Sequence, residues 1–343
     1  MKPLHSIGIA VAVALAIGAV LFGAPLGKPP PPSYDRNEQL AMSRRDARTI
    51  WRYRPDLNFT YTSPEFTMPV RTNDEGLRSA PLVASDDVPT ILFVGDAFTF
   101  GWGVAEEQRF SDVIGRRLGQ PARIVNGGHW MYSFDQQLVL MKELIARYRP
   151  KVVVQDFYWM YTRLLYGHAY ARAPDGALQA VLDTKIDVDG RGVVRFRSDK
   201  MEGAGDWISY LRPGTQNADL WQRTEDLVDE TIRTVRASGA AYVPFLTPAG
   251  IEFPGGSWAT VGWLEKQPPV DVDVDLPAAR LAGMFSRRGV DVVNMAAPMR
   301  AEVASGKVSG LYYPQDGHWT PQGHDLVARI LTPYVAKALA RQP

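Results

Sequence analysis

From residue 91 onward, short apolar runs alternate with longer segments whose apolar residues recur at helical spacing. A continuous apolar run without polar alternation is typical of a strand that is buried on both faces. The predicted strands cover residues 91–94, 122–125, 152–154, 240–246 and 290–294. The predicted helices cover residues 110–118, 133–148, 219–237, 277–288 and 322–340. This alternation predicts a mostly parallel sheet with helices on both faces, which is a three-layer α/β/α domain.

The N-terminus has a different pattern, because residues 7–22 are apolar throughout and no charge follows before Lys28. Residues 1–27 are therefore predicted to form a membrane anchor or the core of a secretory signal. A retained anchor is the favoured interpretation, since Pro25 directly follows Ala24 and leaves a poor cleavage site. Under either interpretation, the rest of the chain crosses the membrane.

Residues 28–70 are predicted to connect this segment to the main domain. Four consecutive prolines, 29–32, favour a stiff extended tether. The polar, arginine-rich stretch 34–54 predicts a helix or a wrapping arm, and residues 59–70 have strand-like composition.

The main domain is predicted to cover residues 71–343. Its most unusual feature is a long insertion, residues 161–217, between a predicted strand and the next helix. Within the insertion, residues 185–197 resemble a β-hairpin with Asp-Gly at the turn. Insertions of this length in α/β folds often shape a binding site.

Composition removes several classes of function. The 343 residues include 38 basic and 37 acidic residues, so nothing indicates a nucleic-acid partner. The absence of cysteine excludes disulfides, thiolate metal sites and a cysteine nucleophile. No nucleotide-binding glycine motif and no metal-protease motif occurs, so the sequence implies neither a cofactor nor a metal.

Three short segments carry the polar residues that could perform chemistry. Residues 94–104 (VGDAFTFGWGV) follow the first predicted strand of the sheet, and residues 126–136 (NGGHWMYSFDQ) follow the second. Residues 312–324 (YYPQDGHWTPQGH) precede the last helix. Because active sites of open parallel sheets form outside the carboxyl ends of the strands, the first two segments are predicted to lie there. The third reaches the same crevice if its helix packs beside the sheet.

The three segments resemble, in order, the blocks of the SGNH-type (GDSL-like) acyl hydrolases. The first looks like GDSFTFGWGV with Ala97 in place of the serine, and the third contains an Asp and a His two residues apart. The resemblance covers roughly residues 70–340, and is greatest to membrane-anchored bacterial members, including the alginate O-acetyltransferase-like group. It implies a flavodoxin-like fold and a globular domain outside the bacterial inner membrane, in the periplasm or beyond.

The resemblance also implies roles for individual residues. Ala97 stands at the nucleophile position, His318 would be the general base, and Asp316 would orient its imidazole. The backbone amide of Gly128 would help to stabilise an oxyanion. The other residues expected around the oxyanion or binding site are Asp96, Asn126 and His129.

This chain also departs from the pattern of these hydrolases. Ala97 has no hydroxyl group, and Met160 stands where a third block usually supplies an asparagine. Three explanations stay open: natural loss of activity, a serine-to-alanine substitution introduced into an active enzyme, or another nucleophile. Candidates for that nucleophile are Thr99, Ser133 or a water molecule activated by His318.

The sequence therefore predicts an extracytoplasmic protein related to enzymes that hydrolyse or transfer acyl groups on polysaccharides. An acylated polysaccharide or a small ester is the expected ligand, and activity is expected to be impaired or lost at Ala97. The alternative is a non-catalytic protein that binds glycan or serves as a structural subunit of an envelope complex.

Overall fold

The structure is a computed structural model that describes residues 42–46, 48–79, 88–161, 207–214, 217–253 and 272–342, with four short strands between 170 and 196. The predicted anchor and proline tether lie outside the described residues, as does most of the insertion. Within the described part, no helix has the length and apolar character needed to cross a membrane.

Two antiparallel hairpins precede the main sheet. The first pairs β1 (Ser43–Asp46) with β2 (Ile50–Tyr53), and the second pairs β3 (Asn58–Thr62) with β4 (Thr67–Arg71). The strand-like character predicted for residues 59–70 is confirmed, with a turn dividing it. The helix considered for residues 34–54 is wrong for their described part. Side chains there alternate between inside and outside, with Trp51 and Tyr53 buried on one face.

Five parallel strands form the main sheet. Its members are β5 (Thr90–Gly95), β6 (Arg123–Gly128), β7 (Val152–Tyr158), β12 (Ala241–Thr247) and β13 (Val293–Asn294). The intervening short strands, β8 (Tyr170–Arg172) with β9 (Leu178–Ala180) and β10 (Ile186–Val188) with β11 (Val194–Phe196), form two separate hairpins. The second of these hairpins was predicted. The sheet order is β6-β5-β7-β12-β13, which is the flavodoxin-like order 2-1-3-4-5.

Helices cover both faces of the sheet, as the alternating pattern predicts. In chain order they are α1 (Ala97–Phe100), α2 (Phe110–Arg117), α3 (Phe134–Tyr148), α4 (Ala218–Ser238), α5 (Leu276–Ser286), α6 (Ala296–Ala304) and α7 (Pro321–Ala340). Short 3-10 turns cover Glu106–Gln108, Trp207–Leu211 and Gly250–Glu252.

Alternate side chains of the central strand explain the two layers. Ile91 and Phe93 pack with residues of α2, α6 and α7, whereas Leu92 and Val94 pack with residues of α3. All four side chains have no exposed surface. A strand that is buried on both faces needs no polar alternation, which is why this one reads as a continuous apolar run.

Candidate active site

The candidate site lies where β5 and β7 end side by side. In this strand order the chain turns to opposite faces of the sheet after β5 and β7, which leaves a crevice at their carboxyl ends. Asp96 follows β5 directly and caps α1, because its Oδ1 accepts a hydrogen bond from the backbone N–H of Phe98 at 2.7 Å. Ala97 is the first residue of α1, and Gly101 ends the helix at a φ of 80°.

The predicted pair Asp316 and His318 is brought together. His318 Nδ1 lies 2.6 Å from Asp316 Oδ1, and Trp102 Nε1 donates to Asp316 Oδ2 at 3.1 Å. The carboxylate is 3% exposed and the imidazole side chain 18% exposed. With Nδ1–H donating to the carboxylate, Nε2 of the neutral ring is a hydrogen-bond acceptor.

The first block and this dyad are neighbours in space. The ring of Phe98 lies 5.0 Å from the imidazole of His318 between centroids, and that of Trp102 lies 6.3 Å from it. Ala97, however, has no exposed surface and belongs to a buried cluster with Tyr53 and Met68 of the N-terminal hairpins. The nucleophile position is thus covered as well as being without a hydroxyl group.

Gly128 and Asn126 have a structural use that the sequence did not indicate. The N–H of Gly128 donates to Asn126 Oδ1 at 3.0 Å, so an oxyanion would have to displace that bond. The Asn126 amide in turn donates to the backbone oxygen of Thr99 at 2.7 Å and to Ser111 Oγ at 3.1 Å. A Cβ at position 128 would overlap the backbone nitrogen of Phe100. In the structure the two residues fasten α1 to β6, and the oxyanion role of Gly128 stays a prediction.

The expectation that His129 faces the cleft is also wrong. His129 is 2% exposed, and its ring stacks on Tyr53 and Tyr132 with centroid separations of 4.7 and 4.4 Å. Burial lowers the pKa of His129 to about 3, so the ring is neutral. Its ring packs the first hairpin against the sheet.

Asp96 does not line a binding surface either. It has no exposed surface and pairs with the equally buried Asp156 at the end of β7. Burial, followed by the charge of Asp156, raises the pKa of Asp96 well above its usual value. Asp156 accepts hydrogen bonds from Thr99 and Thr247, and burial raises its pKa to about 6. The raised pKa values favour one proton held between the two buried carboxyl groups, which are not exposed to a substrate.

The side chains considered as replacement nucleophiles are buried and engaged. Thr99 is 1% exposed and donates to Asp156 Oδ2 at 3.2 Å. Ser133 has no exposed surface and donates to Asp135 at the start of α3. Met160, at the place of the third-block asparagine, is 6% exposed, and its sulfur lies 2.7 Å from the hydroxyl of Tyr158. Thr99 and Ser133 therefore cannot attack an ester without rearrangement.

Sequence reasoning missed the residues that shape the site from a distance. The guanidinium of Arg78 is buried and donates to the backbone oxygens of Phe100 and Gly101 at 3.1 and 2.6 Å. It also donates to those of Pro69 and Val104, both at 2.7 Å. Arg78 thus joins α1 to β4. The only hint was its place in the segment RTNDEGLR before the first block.

A scan of known protein families finds no match to this chain, and no curated protein matches its sequence. Solved structures with a related fold include an acetyl xylan esterase (TM-score 0.44, 12% identity, covering 72% of this chain and 98% of that one). A second is a carbohydrate acetylesterase family member from Sinorhizobium meliloti (TM-score 0.42, 13% identity, covering 74% of this chain and 100% of that one). A third is the lipase/acylhydrolase from Enterococcus faecalis (TM-score 0.44, 10% identity, covering 73% of this chain and 96% of that one). At these identities and scores the comparison assigns no activity and no residue role to this chain.

Proposed function

We propose that this protein is a non-catalytic relative of the SGNH-type acyl hydrolases that binds a polysaccharide at His318 without cleaving an acyl ester. The observation that carries the proposal is a well-formed His318–Asp316 pair beside a nucleophile position that is both alanine and fully buried. Esterases of this type need nucleophile, base and oxyanion donors together.

The case against turnover rests on three separate features. Ala97 has no hydroxyl group to form an acyl-enzyme. The N–H of Gly128 is already hydrogen-bonded to Asn126. Met160 has no side-chain amide to complete an oxyanion site. Since one oxyanion donor is typically worth about a factor of a hundred to a thousand in rate, these losses compound.

The case for binding rests on the exposed edge of His318. Asp316 holds the ring through Nδ1. This leaves Nε2 of the neutral tautomer as an acceptor suited to a sugar hydroxyl. Two aromatic rings pack next to each other near His318. Phe98 lies against the imidazole, and the half-buried Tyr158 lies 5.1 Å from Phe98 between ring centroids. Phe98 is 2% exposed, so of these two rings only Tyr158 is open to a sugar.

The location belongs to the same proposal. If residues 1–27 anchor the chain and the prolines 29–32 act as a spacer, the binding domain lies outside the inner membrane, where envelope polysaccharides are found. Its place would then be in an envelope assembly that handles an acylated polysaccharide.

Titration with acetylated and unacetylated alginate oligosaccharides tests this function. We expect binding by calorimetry without release of acetate, and we expect His318→Gln to weaken the affinity at least tenfold, because glutamine does not offer the imidazole lone pair. As a matched control, Tyr334→Ser removes an aromatic side chain that is 49% exposed on the distal part of α7, and it should leave the affinity unchanged.

Release of acetate that depends on His318 would contradict the absence of catalysis. Failure of both oligosaccharides to bind, or equal binding by the His318→Gln variant, would contradict the glycan site. The chain would then be better described as a structural subunit.

A further inference from the structure

The turn between β3 and β4 makes direct contact with the loop that carries the His318–Asp316 dyad. In that turn, Ser63 Oγ accepts hydrogen bonds from the backbone N–H groups of Glu65 at 3.2 Å and Phe66 at 3.1 Å. This leaves the Glu65 side chain directed towards residues 315 and 316, which are about 250 positions later in the chain.

The Glu65 carboxylate accepts backbone hydrogen bonds from both of these residues. The N–H of Gln315 lies 2.9 Å from Oε1 and 3.1 Å from Oε2, and the N–H of Asp316 lies 2.6 Å from Oε2. Two successive N–H groups converging on one carboxylate form a small anion-binding nest. Hydrogen bonds to an ionised acceptor are stronger than neutral ones, so this contact fixes the backbone of the loop.

A second contact of the same hairpin supports the loop from the side. The ring of Phe66 lies 4.9 Å from that of Tyr313 between centroids. The hydroxyl of Tyr313 donates to the backbone oxygen of Gly103 at 2.8 Å. The loop is also closed on itself, because the N–H of Gly317 donates to the backbone oxygen of Tyr313 and the N–H of Tyr313 donates to that of His318, both at 2.9 Å.

Each of these contacts holds a different part of the dyad loop. The internal hydrogen bonds define the shape of the loop, and Trp102 holds one oxygen of the Asp316 carboxylate. The Glu65 carboxylate attaches the backbone of residues 315 and 316 to the N-terminal hairpin.

We infer that Glu65 is a positioning residue for the His318–Asp316 dyad, so that the N-terminal hairpin sets the geometry of the site from outside the main domain. The importance of this geometry for ligand binding rests on the function proposed above. The attachment itself can be measured without any ligand.

The test uses the full chain labelled with ¹⁵N-histidine and compares Glu65→Ala with the unmodified protein. We expect the unmodified protein to show a downfield Nδ1 proton resonance from His318, because that proton is held in the 2.6 Å bond to Asp316. The substitution should broaden or remove this resonance. It should also speed amide hydrogen exchange at residues 315 and 316 by at least tenfold, because their acceptor is gone.

Two further variants make the result decisive. Glu107→Gln removes an exposed glutamate from the neighbouring 3-10 turn and should change neither signal. Glu65→Gln keeps one acceptor oxygen and should give an intermediate result. An unchanged resonance and unchanged exchange in Glu65→Ala would overturn the inference. Loss of the whole fold in both Glu65 variants would also overturn it, because a positioning residue leaves the core intact. None of these outcomes depends on whether a polysaccharide binds.

Discussion

The carboxyl groups of Asp96 and Asp156 meet at the ends of β5 and β7, and neither side chain has exposed surface. The N–H of Phe98 and the hydroxyls of Thr99 and Thr247 satisfy only part of their oxygens, and Asp96 Oδ2 receives no N–H or hydroxyl donor. The raised pKa of Asp96 favours a proton shared between the two acids, which would fill that gap. The pair is therefore a site of pH-dependent stability at the centre of the fold.

The direction of that dependence follows from the raised pKa values. The pKa of Asp156 is about 6 in the folded protein and that of Asp96 is also raised, whereas an unfolded aspartate titrates near 3.9. From about pH 4 upwards, through the pKa of Asp156 near 6 and the raised pKa of Asp96, the folded protein thus binds more protons than the unfolded chain. The contribution of this pair to the free energy of unfolding is greatest below this window and falls as pH rises through it.

The substitution Asp96→Asn should prevent most of this decline in the free energy of unfolding. Asparagine can still accept from the N–H of Phe98, and its amide can donate to Asp156 without titrating. We expect the free energy of unfolding at pH 7 to rise by on the order of 1–2 kcal/mol and its decline between pH 4.5 and pH 7 to flatten. Urea denaturation across that range measures both. Asp226→Asn, an exposed control on α4, should leave the profile unchanged, and an equal decline in Asp96→Asn would refute the shared proton.

At the scale of single residues, the sequence predicted those that its motifs contain. Asp316 and His318 were found because two residues that are two positions apart form a local pattern, which can be recognised without knowing the fold. Glu65 and Arg78 were missed because their partners are distant in sequence, and nothing local distinguishes them from surface residues. His129 was placed in the cleft wrongly, because a sequence does not show that two tyrosine rings enclose it.

Among the secondary-structure elements, the close approach of α1 to β6 decides whether the site can form. The backbone of Phe100 lies so near Gly128 that a side chain there has no room, and Asn126 ties the same helix to the sheet. The short helix α1 is stable because its two ends and its backbone oxygens are held by neighbours such as Arg78. A helix of four residues would not form on its own.

Gly128→Ala should therefore be strongly destabilising. The added methyl meets backbone atoms that cannot rotate away, so we expect a loss of about 3 kcal/mol or more in the free energy of unfolding. The matched substitution Gly283→Ala lies inside α5, where the nearest atom is the flexible end of Arg287 at 3.3 Å. It should be neutral or stabilise by up to about 1 kcal/mol, because alanine favours helix. Equal effects of the two substitutions in urea denaturation would show that α1 does not press on β6.

Periodicity explains which elements the sequence could predict. The five strands of the main sheet and the helices α2, α3, α4, α5 and α7 were predicted because each shows its own apolar pattern. Two helices were not: α1 is too short, and α6 contains a proline and little apolar periodicity. The first hairpin was taken for a possible helix because arginines obscure its two-residue alternation, and only residues 293–294 of the last predicted strand pair with the sheet.

For the whole molecule, the N-terminal hairpins are part of the site. They supply residues of the cluster that buries Ala97, and through Glu65 they hold the dyad loop. The main domain could be predicted as a three-layer sandwich because its pattern is regular. The contact between the N-terminal hairpins and the dyad loop could not be predicted, because the two segments are far apart in sequence and meet only in the folded chain. The membrane anchor and the position outside the inner membrane stay predictions of the sequence.

The central claim is that the dyad persists in a protein that is no longer an esterase. The measurement that tests it most directly is aryl-acetate hydrolysis by the purified protein and by its Ala97→Ser variant, with Ala97→Ser/His318→Gln as the background. We predict no turnover above background in either protein, because the position is covered and the N–H of Gly128 is engaged. Hydrolysis by Ala97→Ser that disappears with His318→Gln would contradict the account and show that a single alanine silences a working enzyme.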